Sequence, residues 1–386
     1  MSRSQDVLKP PQWWLPVLQQ IAGLPDFQVS TLQRFVPSLK QLSSHLNDVE
    51  ERREKGAPYM RDRRLREAYL LYYATCNFLK LAWPLYELWP AGPPMGDAPL
   101  RILDVGCGPG TGIAALHAWA DTHTSTRPLL VYGIDTVEGN ATLYREMGRL
   151  LREHSGHDFA CDATVGDARH LAGEEGSFDL VMGMNVLNEI PEVAQQRFLA
   201  RCAELLAPGG AMVLIEPALR TTSRTLLQLR DHAVTQGWSV IAPCFRQGCC
   251  PALVNEKDWC HHDVPWERPP FIAWIDEEIG NIKRSLKFST LVLSRDTTAV
   301  QGDSAGGTLQ RVVSEMFVEK GRTWCFCCGV QGRRVYQRNH RDRSELNGAF
   351  DNLQRYDAIM VEGEETRAHD VRLGPEARVT RIDPIA

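Results

Sequence analysis

The sequence contains no apolar run that approaches the roughly 20 residues needed to span a bilayer. Its N-terminal stretch interrupts scattered apolar residues with Asp6, Lys9, Pro10 and Pro11, so it has neither the apolar core of a secretory signal nor the composition of a transit peptide. A strong excess of one charge sign is also missing, because the formal net charge is only -5. We therefore expect a cytoplasmic protein without membrane or DNA contact, in which any RNA contact needs a local basic cluster.

No zinc-ribbon or zinc-finger spacing relates Cys244, Cys250 and Cys260, although their region is rich in cysteine. Of the 11 cysteines, seven lie between residues 244 and 328, namely Cys244, Cys249, Cys250, Cys260, Cys325, Cys327 and Cys328. Clustering of this kind in a chain without an export signal favours a metal site over disulfides. Three thiolates, those of Cys244, Cys250 and Cys260, can converge on one metal centre, and a fourth ligand must then come from elsewhere in the chain.

The chain of 386 residues is longer than one hydrophobic core usually occupies, so we expect several units. The predicted units are a helical unit at residues 1–95, an α/β domain at 96–296 with a metal-binding insertion at about 244–285, and a small β-rich unit at 297–386. Within the helical unit, Trp83-Pro84 predicts the end of a helix. Candidate strands lie at residues 100–105, 129–135, 163–167, 178–184 and 211–216, and helix-length segments between them are typical of a doubly wound sheet.

A glycine-rich turn follows the first candidate strand. It reads Asp104-Val105-Gly106-Cys107-Gly108-Pro109-Gly110-Thr111 and opens a helix. Thr111 occupies the position where a dinucleotide fingerprint needs its third glycine, and no Lys-Ser/Thr pair follows to make a nucleotide P-loop. The turn resembles the first motif of class I S-adenosylmethionine-dependent methyltransferases, and this resemblance implies a cofactor site at Asp104, Gly106, Gly108 and Gly110.

Two further carboxylates are predicted at the ends of the next strands. Asp135 ends the second strand, where a carboxylate can accept the ribose hydroxyls of the cofactor. Asp167 follows the third strand, where methyltransferases of this class contact adenine. Asn185 follows the fourth strand and completes the predicted cofactor set, and Asn188 and Glu189 are further candidates to line the site.

Neither of two common catalytic arrangements is present. The Asn/Asp-Pro-Pro-aromatic motif of base-amino methyltransferases is missing after the fourth strand, where the sequence reads Asn185-Val186-Leu187-Asn188. No cysteine stands at a strand end as the nucleophile that cytosine-C5 methyltransferases need. We therefore assign no catalytic residue, and the fold allows either an enzyme or a factor that only binds the cofactor.

Several short stretches sharpen the resemblance to one family. They are Leu187-Asn188-Glu189-Ile190-Pro191, Ala242-Pro243-Cys244, Cys250-Pro251, Asp258-Trp259-Cys260-His261 and Leu286-Lys287-Phe288-Ser289. They resemble the Rsm22 family of bacterial and mitochondrial methyltransferase-like factors, over about residues 60–345. The resemblance implies association with the small ribosomal subunit and its RNA during ribosome assembly.

The same resemblance implies a [4Fe-4S] cluster held by Cys244, Cys250, Cys260 and one later cysteine. We favour Cys328 as the fourth ligand, with Cys327 as the close alternative. A structural zinc with three cysteines and either His261 or His262 is the rival interpretation, because zinc and iron–sulfur sites both want four soft ligands. Buried thiols without any metal are the third alternative.

A basic stretch near the C-terminus predicts the RNA contact. Arg333, Arg334 and Arg338 lie close together with Tyr336 among them. Arginine pairs with phosphate and an aromatic ring stacks on bases, which is what binding of single-stranded RNA requires. We expect this patch to contact the ribosomal RNA of the small subunit.

Overall fold

The structure of the chain is a computed structural model that describes residues 8–47, 58–123, 127–154, 158–296 and 307–382. The helices are α1 (Trp14–Ile21), α2 (Val29–Leu32), α3 (Val36–Asn47), α4 (Arg63–Ala68), α5 (Thr75–Asn77), α6 (Ala82–Leu88), α7 (Thr111–Ala120), α8 (Glu138–His154), α9 (Glu192–Leu205), α10 (Arg220–Thr235) and α11 (Pro270–Ile279). No helix of these described ranges is long and apolar enough to cross a membrane.

Eight strands form the first sheet, which occupies the centre of the chain. They are β1 (Leu100–Val105), β2 (Leu129–Asp135), β3 (Phe159–Val165), β4 (Phe178–Met184), β5 (Leu206–Pro217), β6 (Ser239–Ala242), β7 (His262–Pro265) and β8 (Ser285–Ser294). Their order is β3-β2-β1-β4-β5-β8-β6, with β7 also paired to β8. The first five strands are parallel, whereas β8 runs antiparallel to β5. The predicted α/β architecture is confirmed.

The edge strand β3 lies earlier in the chain than predicted. It spans Phe159–Val165 rather than residues 163–167, and only alternate residues such as Phe159 and Ala163 are buried. An edge strand covered on one face alternates buried and exposed residues, so a search for an unbroken apolar run finds only part of it.

The helical unit continues past the predicted stop. A π-helical segment, Tyr69–Ala74, follows α4, and a 3-10 turn, Phe78–Leu81, separates α5 from α6. Pro84 lies in the first turn of α6, where a backbone N–H has no partner within the helix and its absence costs little. Trp83-Pro84 therefore marks the start of a new helical segment, and the prediction that the helix ends there is wrong.

A second sheet follows the first. Its strands are β9 (Thr308–Val312), β10 (Phe317–Glu319), β11 (Arg322–Gly329), β12 (Gly332–Asn339), β13 (Ala358–Glu362), β14 (Glu365–Thr366), β15 (Asp370–Arg372) and β16 (Arg378–Ile382). Their order is β14-β15-β12-β11-β9-β13-β16, with β10 paired to β11. The inward faces build a separate core around Val312, Phe350 and Ile359.

The segment between β6 and β8 carries the cysteine cluster. β8 is long enough to pair with β6 through its second half and with β7 through its first half. The chain therefore leaves the sheet after Ala242 and passes through the cysteine-bearing loop. It returns at His262, where β7 pairs with β8 as β6 does. This path brings the loop against the second sheet, where Arg333 forms an ion pair with Asp258.

Candidate functional site

A cleft of about 600 Å³ opens at the carboxyl ends of β1, β2 and β4. In open α/β sheets ligands bind at this edge, where the strand order reverses. The reversal here lies between β1 and β4, because the chain moves outward from β1 to β3 and then returns to β4 beside β1. The predicted residues Gly106, Gly108, Asp135, Asp167 and Asn185 all line the cleft.

The glycine turn has a backbone that other residues rarely adopt. Gly106, Gly108 and Gly110 have φ values of 65°, 53° and 102°. A Cβ atom on Gly106 would also lie 2.6 Å from a methyl group of Val186. Glycine is therefore required both by conformation and by the close approach of the loop after β4. Gly110 is the N-cap of α7 and is not among the residues that line the cleft.

Asp135 is held in place by three N–H donors. One carboxylate oxygen accepts from Val137 N at 2.9 Å and Asn140 Nδ2 at 3.1 Å, and the other accepts from Gly108 N at 3.0 Å. A carboxylate has about four acceptor sites, so one remains for a hydroxyl donor in the cleft. Burial raises the pKa of Asp135, and the three donors oppose that rise.

Asp104 lies beneath the glycine turn rather than in the cleft. It is 1% exposed, and a Cβ atom on Gly112 would lie 2.5 Å from its Oδ2. Burial raises the pKa of Asp104 to about 8, so a large part of this carboxyl is protonated near neutral pH. The geometry gives Asp104 a supporting position behind the loop and no contact with a ligand in the cleft.

Asp167 and Asn185 lie at opposite sides of the glycine turn. Asp167 accepts a hydrogen bond from Arg169 N at 2.8 Å and pairs with the Arg169 guanidinium, which holds the pKa of that carboxyl below its ordinary value. Asn185 has a φ of 61° and donates its N–H to Ile215 O at 2.7 Å. A non-glycine residue in this region stores strain that is typical of functional sites.

Asn188 and Glu189, the two further candidates to line the site, take different positions. Asn188 is 2% exposed and donates to Glu216 Oε2 at 2.5 Å, so its amide serves to hold the loop after β4. Glu216 also accepts from Leu187 N at 2.8 Å. Glu189 lines the cleft and accepts a hydrogen bond from the Tyr59 hydroxyl at 3.4 Å.

Sequence reasoning missed one wall of the cleft. The helical unit contributes Tyr69, Tyr73, Asn77 and Lys80, and the loop before β8 contributes Lys283. Lys80 is 8% exposed and donates to Asn77 Oδ1 at 2.7 Å. The available signal was a single lysine inside the otherwise apolar run at residues 78–83.

A second, smaller cavity lies between the cysteine-bearing loop and the second sheet. Cys244, Cys250, Cys260 and Cys328 all line it. Burial is the main cause that raises the pKa of Cys250 to about 11 and that of Cys328 to about 12, and the nearby Cys244 thiol raises both further. Binding of a metal reverses this preference, because coordination favours the thiolate.

Strand alternation separates Cys327 from Cys328. Successive side chains of β11 point to opposite faces. Cys325 and Cys327 face the core of the second sheet, where both are 0% exposed and their sulfur atoms are 3.6 Å apart. Cys328 therefore faces the other way, into the cavity that the three loop cysteines line.

Arginine side chains surround the cysteine cavity. Arg230 and Arg333 line it, and the buried Nε atom of each has no hydrogen-bond partner among the described residues. An iron–sulfur cluster with four thiolate ligands is anionic and accepts N–H hydrogen bonds at its sulfur atoms. The donor set of four cysteines, with two arginine side chains lining the same cavity, therefore fits such a cluster.

The two histidines of the zinc alternative do not line this cavity. His262 bonds through Nε2 to Thr290 at 3.0 Å and stacks on the ring of Tyr356, with centroids 3.7 Å apart. His261 stacks on Trp259. Within the described ranges no group of three or more histidine, cysteine, aspartate or glutamate side chains, the four cavity cysteines included, has the arrangement of a bound metal ion.

The three arginines predicted to bind RNA have different environments. Arg333 pairs with Asp258 at 3.0 Å and packs on the Phe326 ring, while Arg334 is partly exposed and donates to a backbone carbonyl. Arg338 is 1% exposed, and its guanidinium donates to Asn347 and Asp351. This guanidinium is buried, its two Nη atoms bond to Asn347 and Asp351, and it lines neither cavity, so it cannot reach a phosphate and the prediction of an RNA contact at Arg338 is wrong.

Comparison with known proteins gives one family match. The family described as "Mitochondrial small ribosomal subunit Rsm22" matches residues 65–342. That span begins in α4 and ends just after β12, so it includes the cleft, the cysteine-bearing loop and Cys328.

Among curated proteins, the similarity is to methyltransferases. A ubiquinone biosynthesis O-methyltransferase of Dinoroseobacter shibae is 34% identical over 114 residues, or 30% of this chain and 40% of that protein. The corresponding enzyme of Chelativorans is 30% identical over 131 residues, or 34% of this chain and 43% of that protein. The chain thus matches less than half the length of these relatives.

Solved structures with likeness to the chain include the [4+2]-cyclase SpnF and a methyltransferase of Methanosarcina mazei. SpnF has a TM-score of 0.34 and 17% identity, covering 56% of this chain and 80% of that chain. The second has a TM-score of 0.31 and 16% identity, covering 52% and 94%. The fold itself is that of a class I S-adenosylmethionine-dependent methyltransferase, as the strand order, the antiparallel β8 and the glycine turn indicate.

Proposed function

Because the chain belongs to the Rsm22 family, we propose that it binds S-adenosylmethionine and a [4Fe-4S] cluster and acts on the ribosomal RNA of the small subunit during assembly. The observation that carries the proposal is the convergence of four cysteines on one cavity. Three come from the loop after β6 and the fourth comes from the second sheet. Local sequence does not account for the meeting of cysteines from segments this far apart in the chain. A cluster bound by all four would require them to meet.

The cluster would be held by Cys244, Cys250, Cys260 and Cys328, with the guanidinium groups of Arg230 and Arg333 beside it, each also paired with a carboxylate. It joins the first sheet to the second, so its role in this proposal is structural, with redox behaviour set by burial and N–H donors. The cleft binds the cofactor through the glycine turn and Asp135, whose carboxylate accepts a hydrogen bond from a ribose hydroxyl.

An active rRNA methyltransferase is the second candidate. The cleft continues past Asn185 to Glu189, Lys80 and Lys287, which leaves space beside the cofactor loop for a methyl acceptor. Methyl transfer mainly needs the acceptor to be positioned in line with the sulfonium, so the missing base motif does not exclude catalysis.

Anaerobic purification of the full chain tests the proposal. We expect a brown protein with about four iron atoms and absorbance near 400 nm, which is typical of a [4Fe-4S] cluster. Calorimetry should show binding of S-adenosylmethionine and weaker binding by Asp135→Ala. A colourless protein with one zinc would overturn the cluster, and equal affinity of the Asp135 variant would overturn the assignment of the ribose site.

The two candidates differ in one cellular measurement. Mapping of rRNA methylation in a strain that lacks the protein should show every methyl group retained if the chain is a binding factor. Loss of one methyl group in small-subunit rRNA would establish the enzyme instead.

A further inference from the structure

The wall of the cleft formed by the helical unit includes side chains outside the predicted cofactor set. Tyr69, Tyr73, Asn77 and Lys80 recur at spacings of four, four and three residues and all line the cleft. The π-helical segment at Tyr69–Ala74 lies at the start of this row, and π segments within helices occur frequently at functional sites. The wall places two phenol rings and one ammonium on the same side of the cleft.

Lys80 lies on the far side of the cleft from the ribose site. Its Nζ is 6.0 Å from the ring centroid of Phe288, and Phe288 on β8 pairs with Pro217 at the end of β5. Asp135 ends β2, and four strand spacings separate β2 from β8. At about 4.8 Å per spacing the two strands are roughly 19 Å apart, so Lys80 lies toward the end of the cleft away from Asp135.

Lys80 and Lys283 bring two amino groups to the cleft that have no acidic partner among the described residues. Neither forms an ion pair with a carboxylate among the residues that the structure describes, whereas Lys287 at the rim pairs with Asp263 at 3.1 Å. Burial lowers the pKa of Lys80 to about 7, and the charge of Lys283 lowers it further. A buried ammonium of this kind is costly unless an anion reaches it.

We infer that Lys80 and Lys283 form a subsite for a backbone phosphate of a single-stranded RNA segment, with the partly exposed ring of Tyr69 as the adjacent surface for a base. This inference rests on the proposed function, because it names the part of the substrate that the acceptor side of the same cleft receives. Phosphate pairing beside aromatic rings is the combination that binds single-stranded nucleic acid. In this proposal RNA affinity comes from the lysine subsite and not from the buried Arg338.

Binding of a labelled short ribo-oligonucleotide to the full chain, measured by fluorescence anisotropy with S-adenosylhomocysteine present, tests the subsite. Lys80→Met and Lys283→Met should each weaken binding roughly tenfold, since each removes a charged hydrogen bond. Each should also reduce the salt dependence by about one unit of slope. Lys40→Met, which removes an exposed lysine of α3 outside the cleft, should bind as the unmodified chain does.

A backbone analogue isolates the phosphate contact. An oligonucleotide with neutral methylphosphonate links should bind the unmodified chain more weakly than the natural RNA does, and Lys80→Met should show less of this difference. Equal loss in both proteins would overturn the subsite, because the phosphate contact would then lie elsewhere.

Calorimetry of S-adenosylhomocysteine distinguishes failure of the subsite from failure of the proposed function. We expect its affinity to be unchanged in both lysine variants. A loss of cofactor affinity with unchanged RNA binding would overturn the subsite, because the lysines would then bind the cofactor carboxylate while the proposed function stands. Absence of cofactor binding in the unmodified chain would instead overturn the proposed function.

Discussion

At the scale of single residues, burial of a polar group without full hydrogen bonding marks the positions on which the cofactor loop depends. Asp104 is the clearest case, because its Oδ2 has no hydrogen-bond partner among the described residues. Asn185 carries a different cost, which is backbone strain, since its positive φ places the loop after β4 against Gly106 through Val186. Both residues adopt costly states that their surroundings enforce.

The raised pKa of Asp104 makes stability depend on pH. A carboxyl whose folded pKa is about 8 instead of 3.8 contributes stability that is full below about pH 4 and is lost as pH rises through 8. Asp104→Asn keeps the shape without the proton equilibrium, so its free energy of unfolding relative to the unmodified chain should rise from pH 5 to pH 8. Urea unfolding measures this, with the exposed Glu174→Gln as control. Parallel pH profiles for Asp104→Asn and the unmodified chain would contradict the assignment.

At the scale of elements, strand alternation decides which cysteines can share a ligand. Three of the four cavity cysteines lie in the loop after β6, and the fourth, Cys328, lies on β11. The neighbouring Cys327 belongs to the core on the other face. A shift of β11 by one residue would exchange the two, and its pairing with β12 and β9 prevents that shift.

A serine series tests this arrangement. Cys328→Ser should lose most of the bound iron and of the visible absorbance, because the cluster loses a ligand. Cys327→Ser should keep the iron and lower the free energy of unfolding, since it places a hydroxyl in an apolar core. Cys249→Ser, at an exposed position beside Cys250, should change neither quantity. Loss of iron in Cys327→Ser with retention in Cys328→Ser would show that the strand faces are assigned wrongly.

At the scale of the whole molecule, one buried arginine joins three parts of the chain. Arg311 on β9 is 2% exposed and pairs with Glu87 of α6 through two contacts of 3.0 Å. The same guanidinium donates to Pro243 O at 2.9 Å, next to Cys244, and to Tyr356 O at 3.0 Å. It therefore links the helical unit, the first sheet and the second sheet.

Loss of this arginine should affect the stability of all three parts. Arg311→Met leaves Glu87 largely buried without its guanidinium partner, which costs on the order of 3 to 5 kcal/mol. Arg378→Met breaks a surface pair with Glu362 and should cost about 1 kcal/mol or less. Denaturant unfolding of the apo chain compares the two. Equal losses would show that Arg311 does not join the units, and Arg311→Met with Glu87→Met should recover part of the loss.

The amino-acid sequence by itself determined the α/β fold, the glycine turn, the carboxylate at Asp135 and the family, because each depends on residue types at short, fixed spacing. The sequence did not predict the wall of the cleft that the helical unit forms, because a π segment changes which side chains share a helical face. That Cys328 rather than Cys327 lines the cysteine cavity, and that Arg338 is buried, also needed tertiary structure. Which face a side chain takes, and whether water or another unit covers it, follows from strand pairing and from packing between distant segments, and neither is encoded in local spacing.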